Sequence, residues 1–291
     1  MAQVTAALVK QLREMTNSPM MECKKALVKA DGDIDRAVDI LREMGVAKAV
    51  KRAGRATNEG TIGTYVSEDG HTAAILELSC ETDFVGTNPK FTGFAADLAK
   101  VVAENNPTDL EALKACKMGQ GTVDTELTEM IHIIGENMKI MRFTRVEQPE
   151  GGIAGYIHLG GKLASLVSFS FGKAETNANE TFKTFAHDVA MQVVAADPVS
   201  ATIEDVPADV LEHEKAIYAV QAAESGKPEF VQQKMVEGRV NKFYKESVLS
   251  EQVFIKDNDT TISELAKKVS KEAGDDIKIV SFVRYSFGEA E

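Results

Sequence analysis

The sequence predicts an α+β protein: an N-terminal three-helix bundle, a duplicated β-β-α-β core with antiparallel sheets, and an inserted helical hairpin. Three observations carry that class. Apolar residues recur at helical spacing through residues 1–57, the segment 60–107 is repeated at 151–198 without a gap, and two amphipathic stretches joined by a short turn interrupt the second copy. A chain of 291 residues exceeds the usual single domain and has room for all three parts.

The bundle comes first. Leu8, Val9 and Leu12 share one helix face. Ser18 is placed to cap a second helix with Pro19 at its first position, where the missing N–H costs nothing. That helix carries Met20, Met21, Cys23, Leu27 and Val28. Asp31-Gly32-Asp33 reads as a turn and cap, and Ile34, Ala37, Val38 and Leu41 form the stripe of a third helix that Gly45 closes. Lys48, Lys51, Arg52 and Arg55 then put basic groups on one face of a connecting helix, read as a solvated linker face.

The repeat follows. GTIGTYVSEDGHTAAILELS lies over GGIAGYIHLGGKLASLVSFS, and 14 of 48 aligned positions are identical, among them Tyr65/Tyr156, Phe91/Phe182 and Phe94/Phe185. Each copy shows two apolar runs around a polar or glycine turn, which predicts a β-hairpin, followed by a helix. Third strands are expected at Lys139–Phe143 and Lys278–Tyr285. Within the second copy, Pro207 opens a helix, Ser225-Gly-Lys-Pro turns the chain, and a return helix carries Phe230, Val231, Met235, Val236 and Phe243. The expected domains are 1–57, 58–149 and 150–291, the last interrupted by the hairpin at about 205–248. Such an arm serves either dimerisation or partner clamping.

Composition narrows the chemistry. The formal net charge is −12, with a +3 segment over residues 1–59 and −15 over the rest, which argues against direct nucleic-acid binding. No apolar run approaches a membrane span, and the charged N-terminus shows neither a secretory nor a transit peptide. Three cysteines without paired spacing fit a reducing, cytoplasmic setting. Catalytic signatures are missing: five histidines are scattered without metal-ligand spacing, and no nucleophile elbow or HExxH is present. No cofactor, metal or catalytic residue is expected. Cys80 is the one candidate for a thiol enzyme, against its reading as a small core hydrophobe in a strand.

One segment breaks the repeat. Glu81-Thr82-Asp83-Phe84-Val85 in the first copy aligns with Gly172-Lys173-Ala174-Glu175-Thr176 in the second. An aromatic and a valine therefore occupy a strand-to-helix loop that the duplicate fills with polar residues. Phe84 is either a hydrophobic plug over the helix N-terminus or a projecting wedge, the side-chain type that dominates interface energetics.

LVKQLREMTNSPMMECKKALVKADGDIDRAVDILRE, ETDFV, IGENMKIMR and VEGRVNKFYKE, in that order, resemble the bacterial elongation factor Ts family over essentially the whole chain. The resemblance implies a guanine-nucleotide exchange factor for elongation factor Tu that meets the GDP-bound and nucleotide-free forms. It implies a ubiquitin-associated-like fold for the bundle and a coiled-coil insertion for the arm. It also implies residue roles: Thr82, Asp83, Phe84 and Val85 in dislodging the partner's Mg²⁺; Arg13, Met20, Met21 and Lys24 in contacting the GTPase domain. Ile134, Gly135 and His158 match further contacts, as do Phe254 and Ile255 after the arm. No membrane or direct nucleic-acid partner is implied, and the arm leaves 1:1 and 2:2 complexes, or a homodimer, open. A competing class is a ubiquitin-associated-type adaptor using the bundle as its binding head.

Overall fold

The computed structural model describes residues 4–289. The chain is a mixture of helices and antiparallel sheets, and no helix among the described residues is long and apolar enough to cross a membrane. It forms two compact units. The first takes the chain up to Gly63, Leu76–Phe143 and the stretch from Phe287; the second takes Thr64–Ile75 and Thr144–Ser286.

In the first unit, α1 (Ala6–Thr16), α2 (Met20–Lys29) and α3 (Ile34–Arg52) pack around Val9, Leu12, Cys23, Ala26, Leu27, Ala37 and Leu41. Asp33 caps α3 as expected, its carboxylate accepting from the Arg36 N–H at 2.9 Å. Two expectations fail. Ser18 does not cap α2; the cap position is Pro19, without a side-chain bond, and the Ser18 hydroxyl is buried with no hydrogen-bond partner. Gly45 does not end α3, which runs on to Arg52. A Cβ at Gly45 would lie 3.4 Å from the His132 side chain, so this glycine serves close helix packing rather than termination.

The linker face is solvent surface only in part: Lys51 and Arg55 are exposed, whereas Lys48 and Arg52 are half-buried. Lys48 pairs with Glu22, the Arg52 Nη1 donates to the Ile131 carbonyl at 3.2 Å, and Arg55 meets Glu81 at 3.3 Å. His132 lies beneath, its Nε2 3.3 Å from the Glu22 carboxylate. Burial pushes its pKa down, outweighing the pull of Glu22 upward, so the ring is neutral near pH 7 and the contact is not an ion pair there.

The duplicated core follows the expected order. The first copy contributes β1 (Glu59–Val66), β2 (Thr72–Cys80), the single turn α4 (Asp83–Gly86) and α5 (Pro89–Asn105). Then come α6 (Leu110–Ala115), the ribbon β3 (Lys117–Met118) with β4 (Gly121–Thr122), α7 (Val123–Ile134) and β5 (Met138–Glu147). The second copy has β6 (Gly151–His158), β7 (Leu163–Ser170) and α8 (Glu180–Ala196), then the arm helices α9 (Ala208–Ala223) and α10 (Glu229–Ser247). It closes with the ribbon β8 (Val253–Phe254) and β9 (Asp257–Thr261), α11 (Ile262–Ala273) and β10 (Lys278–Ser286). The sheet orders are β1-β2-β5 and β10-β7-β6, so the second strand of each hairpin is central in both.

The structure extends the repeat beyond β-β-α-β. A second helix precedes each third strand, with Thr122 and Thr261 forming capping boxes and Gly135 and Gly274 as left-handed C-caps at φ 94° and 65°. These pairs, like Lys139/Lys278, are 139 positions apart, whereas the hairpins are 91 apart; the difference of 48 is the net insertion in the second copy. The inserted helices bury almost nothing: Ala222 is the buried residue of α9, and α10 has none.

Candidate functional site

The Phe84 loop is built upward from β2, whose residues from Ala73 to Cys80 are all buried. At its end the chain leaves the sheet and makes one helical turn. Thr82 is the N-cap, its Oγ1 accepting from the Val85 N–H at 3.4 Å. The Asp83 carboxylate accepts from the Phe84 N–H at 2.9 Å. Gly86 is buried, and a Cβ there would meet the Gly60 carbonyl oxygen at 3.1 Å. Asn88 then caps α5, accepting from the Lys90 N–H at 2.9 Å.

The loop is held from below by the Gly135–Asn137 segment. The Glu136 carboxylate accepts from the backbone N–H groups of Glu81 (3.1 Å) and Thr82 (3.0 Å) and from the Thr82 hydroxyl (2.6 Å). In return, the Glu81 carboxylate accepts from the Asn137 N–H at 2.7 Å. The Asn137 amide donates to the Arg55 carbonyl at 2.8 Å, which ties the chain leaving the bundle to the same knot.

The Phe84 backbone belongs to that scaffold, its N–H donating to Asp83, but its side chain takes no part in it. The residue is 84% exposed, the highest value among the large apolar side chains of the described residues. This excludes the plug reading: the loop is fixed by polar and backbone contacts, and its aromatic points away from them. Cys80 lies beneath, fully buried, its thiol donating to the Thr82 carbonyl at 3.2 Å. A thiol without accessible surface offers no nucleophile to a substrate, and the enzyme reading built on Cys80 fails. Among the described residues no cluster of three potential metal ligands occurs.

Other sequence-selected residues fall into separate places. Arg13, Met20, Met21 and Lys24 are all exposed on α1 and α2, Met20 at 50% and Met21 at 63%. Ile134 and Gly135 are half-buried and end α7, so they deliver Glu136 to the loop. In the second unit, His158 is exposed at the end of β6; its Nδ1 is 3.0 Å from the Tyr156 hydroxyl and its ring stacks on Tyr156 at 5.8 Å. Leu159 beside it is 66% exposed. Phe254 differs from the expectation of an apolar contact: it is 7% exposed and packed in the second core with Val189, Leu249 and Ile262. Its neighbour Ile255, 43% exposed, is the member of the pair with surface to offer.

Sequence reasoning missed Glu136, Asn137 and Arg55 as supports of the loop. The signal for Glu136 was its place ahead of Lys139, matching Asp275 ahead of Lys278.

Residues 81–289 match the family model described as Elongation factor TS, a match that opens on the first residue of this loop. The chain belongs to the elongation factor Ts family. It is 45% identical over 289 residues to the elongation factor Ts of Clostridium kluyveri, covering 98% of this chain and 93% of the relative. The elongation factor Ts of Clostridium perfringens is 45% identical over 287 residues, with the same coverage. That of Nitratidesulfovibrio vulgaris is 43% identical over 287 residues, covering 98% of this chain and 96% of the relative. These alignments take in the bundle as well as the core, so the elongation factor Ts family likeness runs nearly end to end.

Proposed function

We propose that this chain is the guanine-nucleotide exchange factor for elongation factor Tu: it binds the GDP-bound form, disturbs the Mg²⁺ site and promotes GDP release so that GTP binds. One observation supports the reading most. In a chain of the elongation factor Ts family, a phenylalanine stands 84% exposed on a turn secured by a carboxylate and two caps. Mg²⁺ needs near-ideal octahedral geometry and in nucleotide sites bridges protein and phosphate oxygens, so displacing the elements that hold it weakens nucleotide binding. An aromatic inserted from a stiff loop performs that displacement without any acid, base or metal of its own. Asp83, exposed beside Phe84, adds negative charge at the same point.

Thr82–Val85 form the dislocating segment in this reading. Arg13, Met20, Met21 and Lys24 on the bundle, read as ubiquitin-associated-like, bind the GTPase domain; Ile134, Gly135, His158 and Ile255 supply further contacts. The α9–α10 hairpin is the coiled-coil arm, and its exposed Phe230 (64%) and Val220 (61%) suit either a clamp on the partner or a second copy of the chain. The setting is the cytoplasm, and neither nucleic acid nor membrane takes part directly.

The test is release of a fluorescent GDP from elongation factor Tu, followed by stopped flow. Adding this protein accelerates release and weakens equilibrium GDP binding by a factor in the range of about 5–150, and GDP weakens factor binding by the same ratio. Unchanged release removes the reading.

A further inference from the structure

We propose that Glu136 is the positioning residue of the Phe84 loop: its carboxylate fixes the direction in which Phe84 projects. This rests on the exchange reading for its consequence, though not for its geometry.

The second copy shows why the contact is more than a fold-stabilising one. Asp275 occupies the place of Glu136, 139 positions on, and holds the aligned loop in the same manner. Its carboxylate accepts from the N–H groups of Gly172 (3.0 Å) and Lys173 (2.9 Å), the positions aligned with Glu81 and Thr82. Both copies therefore carry a carboxylate clamp on the same two backbone donors. They differ in the third donor. In the second copy it is the Thr176 hydroxyl, at 2.5 Å, three residues farther along the loop. Lys173, at the cap position there, makes no side-chain cap bond.

In the first copy the third donor is Thr82 itself. Its hydroxyl gives its proton to Glu136 at 2.6 Å and keeps a lone pair for the Val85 N–H at 3.4 Å. The clamp is thereby wired through one hydroxyl to the turn that presents Phe84. Charge-assisted bonds of this kind are shorter and stronger than neutral ones. Because Phe84 has almost no packing of its own, its direction is set by the turn, and the turn by Glu136.

The experiment compares maximal rate and half-saturating factor concentration for GDP release from elongation factor Tu. The proteins are wild type, Glu136→Ala, Glu136→Gln, Phe84→Ala, the double variant and Asp275→Ala. Misplacing an interacting group lowers the maximal rate more than binding, and Glu136→Ala is expected to cost on the order of tenfold in maximal rate. Glu136→Gln recovers part of it, since its amide still accepts from the backbone. The double variant is no slower than Phe84→Ala, because Glu136 acts through Phe84. Asp275→Ala, the matched loss of a clamp in the other copy, keeps the wild-type rate.

Additive losses in the double variant, or equal losses from Asp275→Ala and Glu136→Ala, overturn the proposal. Failure of the exchange reading is seen separately, as no acceleration by wild type. In the free protein, hydrogen exchange at the Glu81, Thr82 and Val85 amides is expected to quicken in Glu136→Ala; unchanged protection overturns the clamp whatever the partner does.

Discussion

The two copies of the core hold their strand-to-helix loops alike and display different residues on them. In each, a buried central strand runs out, a carboxylate from the segment before the third strand takes two loop N–H groups, and an asparagine caps the following helix. One loop then presents Phe84, the other Glu175. The lesson is that duplication kept the mount and changed the payload. Phe84 is singled out as a candidate by its departure from a duplicate whose loop is held by the same two backbone contacts.

The comparison breaks most severely where both copies depend on the same glycine. A Cβ at Gly60 would lie 2.2 Å from the Leu78 carbonyl oxygen, and one at Gly151 would lie 1.8 Å from that of Phe169. Gly60→Ala and Gly151→Ala are each expected to destabilise by about 3 kcal/mol or more, measured by urea unfolding, since a strand must move to admit the methyl. A mild effect in one copy only would show that the two sheets are not equivalent.

Next in size are the clamps. Glu136→Ala and Asp275→Ala each leave two loop N–H groups without their carboxylate, a loss of about 1.5–3 kcal/mol for a hydrogen bond to a charged group, reduced where water reaches the loop. Similar losses by urea unfolding would match the paired geometry. A smaller loss is expected from Thr82→Ala, about 1 kcal/mol for an N-cap, with slower GDP release as its distinguishing mark.

The smallest effect is in pH. The bond from Thr176, with those from the Gly172 and Lys173 N–H groups, holds the Asp275 carboxyl below its ordinary value against a burial effect in the other direction. A depressed folded-state pKa contributes stability above the unfolded value of about 3.9, lost as pH falls through the folded value. Asp275→Asn should therefore flatten the acid limb of a stability–pH curve below about pH 4 and lower stability above it. An unchanged limb would remove that contribution.

Much of this was legible in the sequence, because duplication leaves paired signals. Hairpins, the Phe91 and Phe182 helices and the odd Phe84 all stand out in a 91-residue offset. The α7 and α11 helices escaped because the arm changes the offset to 139, so their Thr caps and Gly C-caps no longer align with the hairpins. Gly45 misled for a tertiary reason: a glycine signals a helix end locally, but here it admits His132. Phe254 was singled out by the family resemblance alone, and a matched position does not say which side of the short β8 ribbon faces the core, where Phe254 is packed. Glu136 was hidden because its role is a set of contacts to backbone 54 and 55 residues earlier, which no local pattern encodes.

The central claim is that Phe84 is what separates the working loop from its structural twin. It is tested most directly by Phe84→Glu, which gives the first loop the residue of the second, in fluorescent GDP release from elongation factor Tu. The account predicts loss of most of the acceleration with unfolding stability within about 0.5 kcal/mol of wild type, as for an exposed substitution. Release at the wild-type rate by a well-folded Phe84→Glu protein would contradict it.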